Sequence, residues 1–226
     1  MRKTAIVLAG GRGTRMNSDT PKQFLPIKGK PIINYSLDAF EDSFVVDDIL
    51  IAAASSDRDY IENNILTRRN YRKVIGICES GSERYESVKN ALEFLDEHGY
   101  DGNTCVYIHD SARPYLTQDL LIKLFSSFGK YGNAVPAVKV KDTIKVVKDG
   151  VITDSPDRAM LMAAQTPQVF RLGEILSGYR KMYEADDFDL VTDDAFVADK
   201  FAGIACHIVE GDYSNIKITT REDLKQ

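Results

Sequence analysis

Short, β-branched apolar runs alternate with amphipathic stretches along most of this chain, and that alternation limits the fold more than any other feature. The runs are Ala5–Ala9, Asp48–Ala53, Lys73–Ile77, Thr104–Ile108 and Ala134–Val138. Each has the length of a buried strand rather than of a helix. Between them, Pro31–Phe40, Arg58–Leu66, Glu83–Glu97 and Thr117–Phe128 read as helices. In the last of these, Leu120, Leu121, Leu124, Phe125 and Phe128 recur at helical spacing. Pro31 suits a first helical turn, where its missing N–H costs nothing, and Thr117 is placed to be an N-cap. Helices resume at Leu172–Tyr183 and Asp193–Phe201, and a strand is expected at Ile204–Val209. The rhythm predicts an α/β fold: a Rossmann-like, mainly parallel sheet with helices on both faces. The 226 residues suffice for one such domain over 1–226.

Residues 139–157 interrupt the rhythm. Apolar and polar residues alternate there around Asp149-Gly150, a hairpin signal, and the segment is too polar to cross a core. It predicts a protruding β-arm, and an arm of this kind reaches a partner subunit, so a homodimer is expected.

The segment after the first strand, "VLAGGRGTRMNSDTPKQFL" (7–25), holds three glycines, two arginines and a lysine. Ligands of open α/β sheets sit beyond the carboxyl ends of strands, and this loop lies at such an end. Neither common phosphate motif fits. The third glycine of a dinucleotide fingerprint is replaced by Met16, and Gly29-Lys30 is followed by Pro31, with Phe24 where a Walker A glycine belongs. The physics of phosphate binding survives that failure. Gly10, Gly11 and Gly13 let backbone N–H groups approach a polyphosphate closely. Arg15 offers a planar fork and Lys22 a compact charge.

The net charge of −5 argues against a general nucleic-acid binder, and the basic run Arg68–Lys73 reads as a solvated helix end. Cys78, Cys105 and Cys206 show no CxxC pair, so they read as reduced thiols rather than a zinc site or a disulfide framework. The first apolar run is too short for a signal peptide or a membrane span, so a cytoplasmic location is expected, with no membrane partner.

Six further segments follow the opening loop: "SGSERYESV" (80–88), "HDSARP" (109–114), "VKDTIK" (140–145), "DRAMLMAAQTPQVF" (157–170), "TDDA" (192–195) and "GDYSNIKIT" (211–219). In that order they resemble the 2-C-methyl-D-erythritol 4-phosphate cytidylyltransferase family, a branch of the nucleotide-diphospho-sugar transferase type with a glycosyltransferase-A-like fold. The resemblance implies transfer of a cytidylyl group from CTP to a polyol phosphate, with release of pyrophosphate and use of Mg²⁺. It implies Arg15 and Lys22 as the catalytic cations. It places Ala9, Gly10, Gly11, Gly13, Gly81, Ser87 and Asp110 on CTP. It places Asp110, Arg113, Thr143, Arg158, Thr166, Thr192 and Lys217 on the acceptor, with Thr143 and Arg158 crossing from the arm of a second subunit. Mg²⁺ is expected mainly on the CTP phosphates, with Asp110 as a further ligand. Arg113 is expected to orient Asp110 by an ion pair, and His109 to be a hydrogen-bonded strand residue rather than a ligand. Ser82 stands where relatives often carry Asp or Lys, so it receives no role.

Two alternatives stay open at this point. Gly10-Gly11 and Thr14 suit a ribitol 5-phosphate cytidylyltransferase somewhat better, whereas "ERYESV", "SARP" and "AAQTPQVF" favour the methylerythritol enzymes. A catalytically silent nucleotide-binding regulator on the same fold is the alternative of another class. Such a protein is expected to have lost Arg15 or Lys22, and both are present.

Overall fold

The computed structural model describes residues 1–11, 20–189 and 191–225. In chain order its strands and helices are β1 (Lys3–Leu8), β2 (Pro26–Ile27), β3 (Lys30–Pro31), α1 (Ile32–Glu41), β4 (Asp48–Ala53), α2 (Arg58–Tyr60), β5 (Val74–Glu79), α3 (Arg84–Glu97), β6 (Cys105–Asp110), α4 (Gln118–Tyr131), β7 (Asn133–Lys139), β8 (Val146–Lys148), β9 (Val151–Asp154), β10 (Met162–Ala164), β11 (Gln168–Arg171), α5 (Leu172–Glu184), α6 (Asp194–Ala202) and β12 (Ile208–Glu210).

The main sheet runs β10-β7-β11-β6-β1-β4-β5, with β12 added on β7. β1, β4, β5 and β6 pair in parallel. β11 lies antiparallel between β6 and β7. Because strand residues alternate between faces, β1 and β4 feed two cores at once. Ala5, Val7, Ile49 and Ile51 meet Leu37 and Phe40 of α1 and Leu121 and Leu124 of α4. Ile6, Leu8, Leu50 and Ala52 meet α3, α5 and α6 through Leu92, Ile175 and Val197. Burial on both faces explains why these strands read as unbroken apolar runs. The expected α/β architecture with helices on both faces is the observed one.

Particular elements differ from expectation. The segment expected as one helix over 58–66 is a single α turn, then a π turn (Ile61–Ile65) and a 3₁₀ turn (Leu66–Arg68). The final strand occupies only Ile208–Glu210. β10 and β11 have no counterpart in the sequence reading, because each is too short to show a period. Between β7 and β10 the chain forms the two-stranded hairpin β8–β9. Its turn residues, Asp149 (φ 50°) and Gly150 (φ 79°), both take positive φ, as a tight two-residue hairpin turn requires. Val146, Val147, Val151 and Ile152 on it are exposed.

Among the described residues no helix is long and apolar enough to cross a membrane. Cys78 and Cys105 are buried free thiols and Cys206 a half-buried one. Burial pushes Cys78 and Cys206 up to about 11, away from thiolate chemistry.

Thr117 caps α4, its side chain accepting from the Leu120 N–H at 3.3 Å. Thr117→Ala is expected to lower unfolding stability by about 1 kcal/mol, read from urea titration followed by circular dichroism.

Candidate active site

β1 has β4 on one side and β6 on the other. The chain leaves β1 toward β4 and comes back across it to β6, so a crevice opens beyond the carboxyl ends of β1 and β6. That crevice is lined by the turn after β1 (Gly10, Gly11), Lys22 and Gln23, the β5–α3 turn from Gly81 to Ser87, the end of β6 (Asp110–Ala112) and Lys217.

Each wall has a local cause. The β1 turn stays in register with β4, because Ala9 N–H donates to Ala52 O at 2.7 Å. It then runs so close to Ser80 that a Cβ on Gly10 would lie 2.4 Å from the Ser80 Cβ. Glycine is therefore imposed at 10 by packing. Among the described residues a Cβ on Gly11 would meet nothing within 4 Å, so their packing does not impose glycine there. Lys22 sits on a 3₁₀ turn, Lys22–Phe24. The Gln23 side-chain amide fastens that turn to Ala9 O, while Phe24 packs on Tyr60 at 4.8 Å.

Across the crevice, Glu83 caps α3 in a reciprocal capping box with Glu86. The Glu86 carboxylate also accepts from Ser82 N–H at 2.7 Å and Ser82 O–H at 2.8 Å. The hydrogen bond from the Ser82 hydroxyl, followed by backbone ones, holds it below the usual carboxylate range. Gly81 is small for a reason the sequence did not reveal: a Cβ there would lie 2.1 Å from the Glu86 Cβ. Its N–H donates to Ser87 Oγ at 3.0 Å, and Ser87 O–H donates to Glu83 O at 3.1 Å. The Ser87 proton is thus spent inside the helix, leaving a lone pair as its remaining hydrogen-bonding capacity.

Asp110 is the charged centre of the crevice. Arg84 Nε donates to its Oδ1 at 3.0 Å, and Lys217 Nζ reaches its Oδ2 at 2.7 Å. Burial alone would raise this carboxyl. The two cations outweigh burial and hold it far below the usual carboxylate range. The other side of the Arg84 guanidinium forms two bonds to Asp194, at 2.9 and 2.7 Å, and Tyr179 O–H donates to Asp194 Oδ1 at 2.6 Å. The expected ion pair between Arg113 and Asp110 is not formed. Arg113 lies three residues on, but its guanidinium turns away and donates to Asn215 O at 2.8 Å and Ala164 O at 3.5 Å. Arg84 takes the place expected for Arg113.

His109 is fully buried beneath the crevice. Asp110 N–H donates to Thr166 Oγ1 at 3.1 Å, and that hydroxyl lies 3.0 Å from His109 Nδ1. Arg113 O, 3.3 Å from Nε2, can only accept, so Nε2 carries the proton and Nδ1 accepts from the Thr166 hydroxyl; Ser36 Oγ lies 3.2 Å from Nε2. Burial pushes the imidazole down to about 4, so it is neutral near pH 7.

A family model for 2-C-methyl-D-erythritol 4-phosphate cytidylyltransferase matches residues 3–226. A protein of that name from Lachnospira eligens is 43% identical over 98% of this chain and 96% of its own. One from Alkaliphilus metalliredigens is 40% identical over 98% of this chain and 89% of its own. The crystal structure of the Francisella tularensis 2-C-methyl-D-erythritol 4-phosphate cytidylyltransferase superposes with a TM-score of 0.84 at 31% identity, covering 100% of this chain and 97% of that one. This chain belongs to the 2-C-methyl-D-erythritol 4-phosphate cytidylyltransferase family.

Of the positions expected from the family, Gly10, Gly11, Lys22, Gly81, Ser87, Asp110 and Lys217 line one crevice, and Ala9 adjoins it as the residue before Gly10. Arg113 and Thr166 stand behind the crevice, tied to backbone groups as described. Thr143 and Arg158 are exposed on and beside the hairpin, Arg158 donating to Lys141 O at 2.9 Å. Thr192 is exposed just ahead of Asp193, the cap of α6. None of these three lines the crevice within a single chain. Gly13 and Arg15 lie outside the described residues. Arg84, Asp194 and Gln23 were not singled out from the sequence, although "SERYES", "TDDA" and "PKQ" contain them.

Among the described residues no group of three His, Cys, Asp or Glu converges, and the two oxygens of Asp110 meet Arg84 and Lys217.

Because His109 is held below its ordinary range, the unfolded chain takes up a proton there before the folded chain does. Its stabilising contribution is complete above about 6.5 and is lost as the pH falls toward about 4. Urea midpoints measured across that window should decline with falling pH, and His109→Gln should flatten the decline.

Proposed function

We propose that this chain transfers the cytidylyl group of CTP to the phosphate of 2-C-methyl-D-erythritol 4-phosphate, giving 4-diphosphocytidyl-2-C-methyl-D-erythritol and pyrophosphate. The observation that carries the reading is the crevice itself. Lys22, the backbone at Gly11 and the Arg84–Asp110–Lys217 cluster line one crevice at the sheet's switch point in a chain that the family model spans almost completely.

A phosphate oxygen of the acceptor attacks the α-phosphorus, forming one P–O bond while the bond to the β-phosphate breaks and pyrophosphate departs. A phosphate monoester is largely ionised near neutral pH, so no general base is required. This agrees with a chain whose one site-adjacent histidine is buried and neutral. The need is for fixed positive charge where negative charge accumulates. Lys22 supplies it, and Arg15, on sequence grounds alone, supplies the second cation. The backbone around Gly81 and the remaining lone pair of Ser87 suit the edge of a cytosine. Lys217 offers charge to the acceptor phosphate, joined by Thr143 and Arg158 from the arm of a second copy; on sequence grounds alone Arg113, Thr166 and Thr192 belong to the same acceptor site. Placement of the two reactants then supplies much of the rate. Mg²⁺ belongs to the same proposal as a companion of the CTP phosphates, where it shields their charge. The apolar residues exposed on the hairpin support a homodimer, and a cytoplasmic location goes with the same reading.

Pyrophosphate release from CTP, measured with methylerythritol 4-phosphate and with ribitol 5-phosphate, tests the reading. Efficient turnover with the first alone is expected, and turnover with ribitol phosphate alone would replace the proposal by the wall-polymer reaction. Lys22→Ala is expected to lower kcat by about 100-fold or more while CTP still binds in calorimetry. Arg158→Ala is expected to raise the acceptor's KM by about ten- to hundredfold with little change in that of CTP. In sedimentation at micromolar concentration the chain should run at twice its own mass.

A further inference from the structure

Asp110 has two cationic partners, and they are built differently. Lys217 meets Oδ2 through one atom on a side chain that is 41% exposed. Arg84 meets Oδ1 from a side chain that is 28% exposed and ends on Asp194, which is 0% exposed. Asp194 is itself fixed from two further directions. Tyr179, fully buried on α5, donates to its Oδ1. The start of α6 that carries it is pinned to the sheet, because Gln168 of β11 donates to Asp193 Oδ2 at 2.8 Å and accepts from Ala195 N–H at 2.8 Å. Gln168 sits opposite Ile108 in β6, two residues before Asp110. The guanidinium is therefore locked between the ends of α3, β6 and α6.

We propose that Arg84, braced from behind by Asp194 and Tyr179, is the permanent positioning residue of Asp110, whereas Lys217 holds the same carboxylate only until the acceptor's phosphate draws it away. This rests on the cytidylyltransferase reading above. A bidentate guanidinium–carboxylate pair fixes direction as well as charge, and breaking a buried pair is strongly disfavoured. A lysine ammonium on an exposed stem has neither restraint. A phosphate monoester carries more charge than a carboxylate already satisfied by Arg84, so it competes well for Lys217. Asp110 then keeps its orientation toward the nucleotide while Lys217 changes partner.

A double-mutant cycle separates this role from a purely structural one. Arg84→Lys keeps the charge but loses the fork. It is expected to lower kcat at least tenfold in the parent enzyme and less than twofold in an Asp110→Asn background. Lys217→Gln should raise the acceptor's KM by a similar factor in both backgrounds. Equal losses from Arg84→Lys in the two backgrounds would overturn the proposal, as would loss of the Lys217 effect when Asp110 is changed. If Arg84→Lys does not fold, as judged by thermal melting, Tyr179→Phe takes its place, with a threefold or larger fall in kcat expected only when Asp110 is present. The same cycle read on CTP affinity by calorimetry keeps the two readings apart. A parent that binds CTP but turns over no polyol phosphate refutes the function. Coupling between Arg84 and Asp110 in CTP affinity still decides the positioning role.

Discussion

The parallel pairing of β1 with β4 on one side and β6 on the other is the constraint on which the rest of the molecule depends. Six residues, Lys3–Leu8, carry hydrogen bonds in both directions and apolar side chains on both faces. A strand so placed cannot shift by one residue without exchanging its two cores. Its exit is fixed with it. The Ala9 N–H bond to Ala52, the Gln23 bond to Ala9 and the close approach of Gly10 to Ser80 all follow from where β1 stops. The crevice is thus a consequence of sheet order, and the loops need only supply charge and small size.

Charge is supplied in a way that keeps burial affordable. Asp194 is fully buried, where a single ion is very costly, and Arg84 is half-buried at the inner end of the crevice. Each is matched: Asp194 by a two-pronged guanidinium and a phenol, Arg84 by two carboxylates. The row Lys217–Asp110–Arg84–Asp194 alternates in sign from the solvent edge inward. A negative ligand entering beside it meets Lys22 and Lys217 first and the paired carboxylate behind them.

Much of this was legible in the sequence, for identifiable reasons. β4 was read with its observed bounds because both faces of the strand are buried and nothing interrupts the apolar run. α3 was legible to within one residue, Glu83–Glu97 against the observed Arg84–Glu97, whereas its reciprocal Glu83–Glu86 cap emerged only from the structure. β11 was not visible: four residues, Gln168–Arg171, lie between Pro167 and a helix and pair antiparallel with strands formed some 30 to 60 residues earlier, a relation that no local period records. The π turn over 61–65 shares its apolar spacing with an ordinary helix. At the crevice, Gly81, Ser87 and Lys217 came from the family resemblance, while Gly10, Gly11 and Asp110 could be placed because strand ends announce themselves. The partner of Asp110 could not. Proximity in sequence favoured Arg113, whose N–H does close a turn onto Asp110 O at 3.0 Å, but that same turn aims its guanidinium at Asn215. Arg84 owes its place to Asp194, 110 residues away, and only tertiary packing brings them together.

That separation bears on how the protein emerges from a ribosome. Strands β1, β4, β5 and β6, together with α3, are all synthesised before the residues that neutralise Arg84 from behind. Until α6 appears, the guanidinium has only Asp110 to meet, and water is the cheaper companion for both. The nascent amino-terminal half therefore has reason to keep this corner hydrated and loosely packed while its apolar layers form. The corner dries late, when Asp194 arrives, and Lys217, later still in the chain, then reaches the outer oxygen of the carboxylate.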